Sequence, residues 1–417
     1  MEGIQLTADM RDQLHDDGFV IVHDVVPADL LQPLRDSVDT AVARARAADP
    51  GWDSNPTPRS DLMQLADESS RLGLEFALHD NTFGVSAQAL GCPESQLGVG
   101  NIAVLCNPEH DPPPPQRTGQ AWGTDPRNWH RDVRPDQDGP LSEIIADDEA
   151  NGPSYVQWNI ALYQEAILHV VPGSHRRLTS ESERAELVAP GGTTTALSGD
   201  IAVEFGVGDG VFYNNSLLHW VSRYSTNKRR TVHLGYRSFG NTFPHQRDTT
   251  LRERGLDLLP EGSPAYRRLA RTIELFREEA AVLLDLYRAV LAGDQSRLER
   301  QIAHLHPAEE ARLSCLIQVM IALRHLRELA ASDGAPGSGS DVDADASLSA
   351  RLQAELLASL SAQELDQLWR RLGPLDAMLQ GSDETHVQGF LGPPSAYYFE
   401  RLPAEVTIER AMAPLKV

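Results

Sequence analysis

The apolar positions of the first hundred residues describe two helices around a short strand. Residues 6–15 carry an amphipathic pattern opened by Thr7 and broken at Asp17-Gly18, after which Phe19-Val20-Ile21-Val22 reads as a buried strand. Pro27-Ala28-Asp29 opens a second helix that runs through Leu, Val and Ala positions to about residue 48. Residues 49–95 show no clear period. Residues 98–106 read as a strand, and Asp111-Pro112-Pro113-Pro114-Pro115 as loop or extended chain, because proline fixes φ and has no N–H to donate.

From residue 154 to residue 239 the period becomes two. Gln157, Asn159 and Ala161 fall on one face, and Val156, Trp158, Ile160 and Leu162 on the other. Residues 167–171 form a second strand, stopped by Pro172-Gly173-Ser174-His175. Residues 201–205, 210–213 and 230–236 add three more. Short strands separated by Gly, Pro and Asn turns predict a mainly β core, a sandwich or jelly roll.

After about residue 250 the period returns to that of a helix. Tyr266, Leu269, Ile273, Phe276, Ala280, Leu283, Tyr287 and Val290 recur at steps of three and four, predicting one long helix that ends near Gly293. Further helix follows over 296–330, with a new segment at Pro307, and again over 348–372 before a loop-rich tail. Residues 332–347 are rich in Gly, Ser and Asp without Lys or Arg, the composition of a flexible linker. The expected organisation is a jelly-roll domain over 1–250 and a helical C-terminal region over 251–417.

Composition narrows the partners. The 417 residues carry a net charge of −23, which argues against nucleic acid and anionic membrane surfaces. Three scattered cysteines, Cys92, Cys106 and Cys315, form neither a disulfide framework nor a thiolate metal motif. Met1-Glu2-Gly3-Ile4 lacks the pattern of a signal peptide, and no apolar run is long enough to span a bilayer, so a reducing, cytoplasmic setting is expected.

Candidate chemistry centres on Asn128-Trp129-His130-Arg131-Asp132. On a strand, residues i and i+2 share a face, so His130 and Asp132 can grip one metal ion together. His219, at the end of Tyr213-Asn214-Asn215-Ser216-Leu217-Leu218-His219, is available as a second imidazole. Two His and one carboxylate with open positions form the facial triad of non-haem Fe(II) oxygenases. Arg229 and Arg230 lie beyond it, where a buried guanidinium could hold a dicarboxylate by a bidentate pair.

The order of these segments resembles the phytanoyl-CoA dioxygenase family of Fe(II)/2-oxoglutarate-dependent oxygenases. Four stretches carry the resemblance, over roughly residues 5–240: Asp17-Gly18-Phe19-Val20, Trp129-His130-Arg131-Asp132, Val171-Pro172-Gly173-Ser174-His175, and Gly208-Asp209-Gly210 through His219 to Arg229-Arg230. The resemblance implies a double-stranded β-helix in which His130, Asp132 and His219 ligate iron. It further implies that 2-oxoglutarate chelates the metal, that its distal carboxylate meets an arginine, and that molecular oxygen takes the remaining position. Decarboxylation to succinate then supplies an oxidant able to abstract a substrate hydrogen, most simply giving hydroxylation of a small organic molecule.

The arginine is open between two positions. Eleven residues on from the distal His, a frequent family spacing, stands Arg230. Strand alternation favours Arg229, which shares a polar or small face with Thr231, His233 and Gly235, while Arg230, Val232, Leu234 and Tyr236 make the apolar one. On the 157–161 strand, Gln157 and Asn159 are candidates for contacting cosubstrate or substrate, against a plain solvent-facing role. Two departures from the family occur: Asn107-Pro108 stands where a basic residue and Pro are common, and Gln164-Glu165-Ala166 where Asn-Gly is common. Asp132, in place of Gly or Ala, argues against the related halogenases.

Other motifs read as structural. His15 and Asp17 diverge on a helix end, His175 belongs to a turn, and His169 and His233 are strand histidines, the latter also a candidate for lining the cosubstrate pocket. Trp129 either walls the site or packs. Asp341, Asp343 and Asp345 imitate a calcium loop but lack its Gly and Glu. The C-terminal helices would cap the barrel or form a homodimer interface. Competing functions are a jelly-roll binding or scaffold protein without turnover, a cupin-like isomerase or hydrolase using another metal, and desaturation, epoxidation or cyclisation by the same oxidative chemistry.

Overall fold

The fold is taken from a computed structural model, which describes residues 3–55, 58–107, 129–189, 196–221, 228–240, 251–331 and 346–415. The proline run at 111–115, Asn128, Pro108 and most of the 332–347 linker, with Asp341, Asp343 and Asp345, lie outside the described residues.

Thirteen strands are found among the described residues. In the first half are β1 (Phe19–Val22), β2 (Arg59–Asp61), β3 (Leu97–Cys106), β4 (His130–Arg131), β5 (Tyr155–Ala161) and β6 (Glu165–Val170). They are followed by β7 (Ile201–Phe205), β8 (Gly210–Asn214), β9 (His219–Val221) and β10 (Arg230–Ser238). The C-terminal region contributes β11 (Gln380–Thr385), β12 (Gly389–Phe390) and β13 (Ser395–Tyr397). A six-stranded sheet runs in the order β1-β8-β5-β10-β3-β2, and a five-stranded one in the order β12-β4-β9-β6-β7. Ala161, Val211 and Tyr213 of the first share a buried cluster with Leu168, Val170, Val203 and Phe205 of the second, so the two sheets face each other.

The alternation read from residues 156–161 is realised in space. Val156, Trp158, Ile160, Val232, Leu234 and Tyr236 point away from the smaller sheet into the main core with Phe276, Leu283 and Tyr287. Gln157, Asn159, Thr231 and His233 therefore occupy the opposite, inner face. Local signals set the flanking helices. Thr7 caps the Ala8–Asp17 helix by accepting from Met10 N, and Gly18 ends it with φ 84°. A Cβ at Gly18 would run into the His175 imidazole, so the turn requires glycine twice over. The same docking joins Gly173 N to Asp17 O at 2.9 Å and places His175 Nε2 3.1 Å from His15 O, a structural role for His175.

The long helix extends over Pro264–Ala292 and stops at Gly293, φ 69°. It is riveted to β10 by one buried pair: Arg237 Nη1 donates to both Glu279 oxygens at 3.1 and 2.9 Å, and the guanidinium lies 3.7 Å over the Phe276 ring. The tail, expected as loop, instead places β12 beside β4, with Gly389 opposite His130 and Phe390 opposite Arg131 in a parallel pair. Two helices unread in the sequence also appear, Leu141–Asn151 and Glu181–Val188, the latter opened by a Ser180/Glu183 capping box. No helix among the described residues is long and apolar enough to cross a membrane.

The Arg237–Glu279 pair gives a direct test of how the helical region is held. Glu279→Ala leaves a buried guanidinium without its carboxylate and is expected to destabilise the protein by about 3–5 kcal/mol, measured by urea unfolding. A loss below about 1 kcal/mol, typical of a surface pair, would contradict this role.

Candidate metal centre

Backbone pairing brings the two histidines together. β4 and β9 are antiparallel with His130 directly opposite His219, and the rings sit 4.4 Å apart, centroid to centroid. Just past β4, Asp132 N donates to Asn215 O at 2.8 Å, which fixes the carboxylate on the same side. His130 Nε2 lies 3.5 Å from Asp132 Oδ1 and His219 Nε2 3.6 Å from Asp132 Oδ2. One donor atom from each residue lies within 4.8 Å of the others, so the three form a group able to hold a metal ion.

The protonation states suit such a group. Burial, helped by the neighbouring His130, pushes the His219 pKa down to about 4, which keeps the ring neutral and able to ligate. Its Nδ1 faces Leu217 O at 2.9 Å, so Nε2 is the nitrogen presented to Asp132. Burial works to raise the Asp132 pKa, but His219, His130 and the Gln157 amide outweigh it and hold the carboxyl at about 2. Gln157 Nε2 donates to Asp132 Oδ2 at 2.5 Å. That contact orients the carboxylate from the facing sheet.

Between His130 and Asp132, Arg131 points the other way and is fully buried. Its Nη1 donates to Ser174 O at 2.7 Å and Ser216 O at 2.5 Å, clamping the turn that follows β6 and the one that precedes β9. Burial lowers its pKa to about 10, still charged near neutrality. Trp129 packs instead of facing the site, 5.9 Å from the Trp220 ring in a separate buried cluster. His169 pairs with Asp200 at 2.9 Å.

The two arginines separate cleanly. Arg230 turns outward, where its Nε donates to Asp39 of the Ala28–Ala48 helix at 2.8 Å and its Nη1 to Arg229 O. Arg229 turns inward, with Nε on Thr231 Oγ1 at 3.0 Å. The same inner face carries Asn159, whose Oδ1 accepts from His233 Nδ1 at 2.8 Å and whose Nδ2 donates to the Tyr213 hydroxyl at 3.4 Å. Tyr213 was not singled out in the sequence, whereas Thr231 was placed beside Arg229 by the alternation of its strand.

On the other side of the Gln157–His233 row lies a cavity of about 300 Å³ that reaches Asp132. Its lining includes Asn101, Tyr155, Gln157 and His233 of the large sheet, Asp147 and Asp148 of the Leu141–Asn151 helix, and Ser314 and Gln318 of the Arg312–Ala331 helix. The C-terminal region thus forms part of the wall, and none of its polar groups was read from the sequence. Gln318 carried a usable signal, a lone amide inside the otherwise apolar run from Cys315 to Leu323.

No protein-family model and no curated protein matches this chain. Solved structures do resemble it. The epimerase SnoN in complex with Fe3+, alpha ketoglutarate and nogalamycin RO is 15% identical over 56% of this chain and 83% of that one, with a TM-score of 0.36. EctD from S. alaskensis with 2-oxoglutarate and 5-hydroxyectoine is 15% identical over 57% and 77%, TM-score 0.38. HygX from Streptomyces hygroscopicus with nickel, 2-oxoglutarate and hygromycin B bound is 17% identical over 56% and 88%, TM-score 0.39. Likenesses this distant say nothing of the chemistry of this chain. Its own residues must carry that.

Gln157 offers the first test. Gln157→Leu removes the donor that orients Asp132 and is expected to weaken binding of Ni(II), used as an oxygen-stable probe, by about 10–100-fold, read by calorimetry. Unchanged affinity would remove Gln157 from the site.

Proposed function

We propose that this protein is an Fe(II)/2-oxoglutarate-dependent oxygenase on a double-stranded β-helix, acting on a small organic molecule. The observation that carries this reading is the convergence of His130, Asp132 and His219 at the head of a polar cavity, donors within 4.8 Å of one another. Two imidazoles and a carboxylate would leave positions on a bound ion open, which a closed structural site does not. Among the described residues no Cys joins them, and no fourth His, Asp or Glu completes the group. The donor set therefore fits Fe(II).

When bound, iron with 2-oxoglutarate and oxygen supplies the oxidising chemistry. The chain's part is to bind, orient and shield. Arg229 is the residue for the distal carboxylate of 2-oxoglutarate: it faces inward beside Thr231, on the face that carries Asn159, while Arg230 is engaged with Asp39 outside. Asn159 and Tyr213 would wall that half of the interior, and a guanidinium held by Thr231 is oriented before a carboxylate arrives. The opposite half, reached from Asp132, takes the substrate. Gln157 stands at the boundary and keeps the Asp132 carboxylate turned toward the histidines.

Exchanging the arginines one at a time tests the assignment. Arg229→Ala should raise the 2-oxoglutarate concentration needed for half-maximal succinate release by about 100-fold, the loss expected of a buried charged partner. Arg230→Ala should instead lower thermal stability, through Asp39, and change that concentration little. The reverse pattern would assign the carboxylate to Arg230. If wild-type protein with Fe(II) yields no succinate above the His130→Ala background, across a panel of small-molecule substrates, the oxygenase reading fails.

A further inference from the structure

The substrate half of the interior carries a charge pattern that bears on what it holds. Asp147 and Asp148 stand side by side on its wall. Asp147 accepts from Asn151 at 2.7 Å and Ser314 at 3.3 Å, and lies 3.0 Å from His306 Nδ1. Asp148 accepts from Asn214 Nδ2 at 2.9 Å and from the Ser154 hydroxyl at 3.2 Å. Among the described residues no Lys or Arg forms an ion pair with either. Burial beside Asp147, without a cation, pushes the Asp148 carboxyl up to about 6.

Arg59 and Arg134 line the same cavity but do not neutralise the pair. The Arg59 guanidinium is held by Asn101 Oδ1 at 2.5 Å, with Asp61 at 3.9 Å. A second and independent feature lines the same cavity from the Arg312–Ala331 helix. Gln318 is only 5% exposed, lines the cavity, and its Oε1 makes no hydrogen bond. A buried acceptor left without a donor is unfavourable unless a bound molecule completes it.

We propose that this cavity binds a small polar molecule bearing a protonated amine, with the ammonium against Asp148 and Asp147 and an N–H or O–H of the same molecule donated to Gln318 Oε1. The rest of the molecule then faces Asp132. This rests on the oxygenase reading for its functional meaning, but the binding site itself needs no metal. Specificity accordingly lies in the Leu141–Asn151 and Arg312–Ala331 helices, outside the strands that hold the triad. The ammonium gains a carboxylate already desolvated, so charge complementarity is worth more here than on the surface.

Matched probes test this on the full chain, both metal-free and loaded with Ni(II) and 2-oxoglutarate. Glucosamine is compared with glucose, 1,4-diaminobutane with 1,4-butanediol, and gluconate serves as the anionic control, all by calorimetry. The expected result is amine binding about tenfold or more tighter than the neutral counterpart. Asp148→Asn should erase that preference. Gln318→Met, which replaces an unpaired amide by an apolar side chain of similar size, should weaken amine binding without lowering Tm. If Asp148→Asn fails to fold, Gln318→Met decides alone.

Glucose, butanediol or gluconate binding as tightly as the amines would overturn the proposal, as would failure of every amine to bind. Retention of the amine preference in both variants would do the same. Amine selectivity in a chain that cannot bind 2-oxoglutarate would sink the oxygenase reading and leave this site standing. Formation of the 2-oxoglutarate complex without amine selectivity would sink this site alone.

Discussion

The candidate centre depends on a single backbone register, His130 opposite His219 in a ladder of very short strands. A shift of one residue on either strand would turn one imidazole to the far face and replace it with Arg131 or Trp220. So short a ladder has few hydrogen bonds of its own to resist slipping. Three other contacts hold it. Arg131 fastens the turns at Ser174 and Ser216, Asp132 N is tied to Asn215 O, and β12 adds a parallel strand on the outer side of β4. Arg131 makes this economical, because the alternation that sends His130 and Asp132 inward necessarily sends it outward into the clamp.

Much of this was legible in the sequence, and the reasons are local. The Gln157/Val156 alternation separated inner from outer faces correctly, and the same period on β10 distinguished Arg229 from Arg230. Family spacing pointed to Arg230, and strand geometry to Arg229; the structure turns Arg229 inward. Helix caps at Thr7 and Gly293 fell where side-chain chemistry demanded.

Most of what escaped had little local signature. β12 is two residues long, and its pairing with β4 is made by the fold across most of the chain. The Leu141–Asn151 helix buries only Leu141 and Asp147, so its inner side carries no apolar stripe to read. Its partner across the cavity is harder to read for the opposite reason: the Arg312–Ala331 helix is buried all round over 314–323, and Gln318 is the one amide submerged there. The polar cavity is therefore built from segments that look unremarkable alone. Those segments give the helical region a place in the site itself, beyond packing on the sheet.

In the proposed reading the interior has two halves. Arg229, Thr231 and Asn159 mark one end, Asp147, Asp148 and Gln318 the other, and Asp132 with Gln157 stands between them. The central claim, that this middle point is an iron centre chelated by 2-oxoglutarate, is tested most directly without oxygen. Adding Fe(II) and then 2-oxoglutarate to the metal-free protein should produce the weak visible charge-transfer band of the chelate at one equivalent of each, and His130→Ala should produce none. Absence of the band in the wild type, or an equal band in His130→Ala, would contradict it.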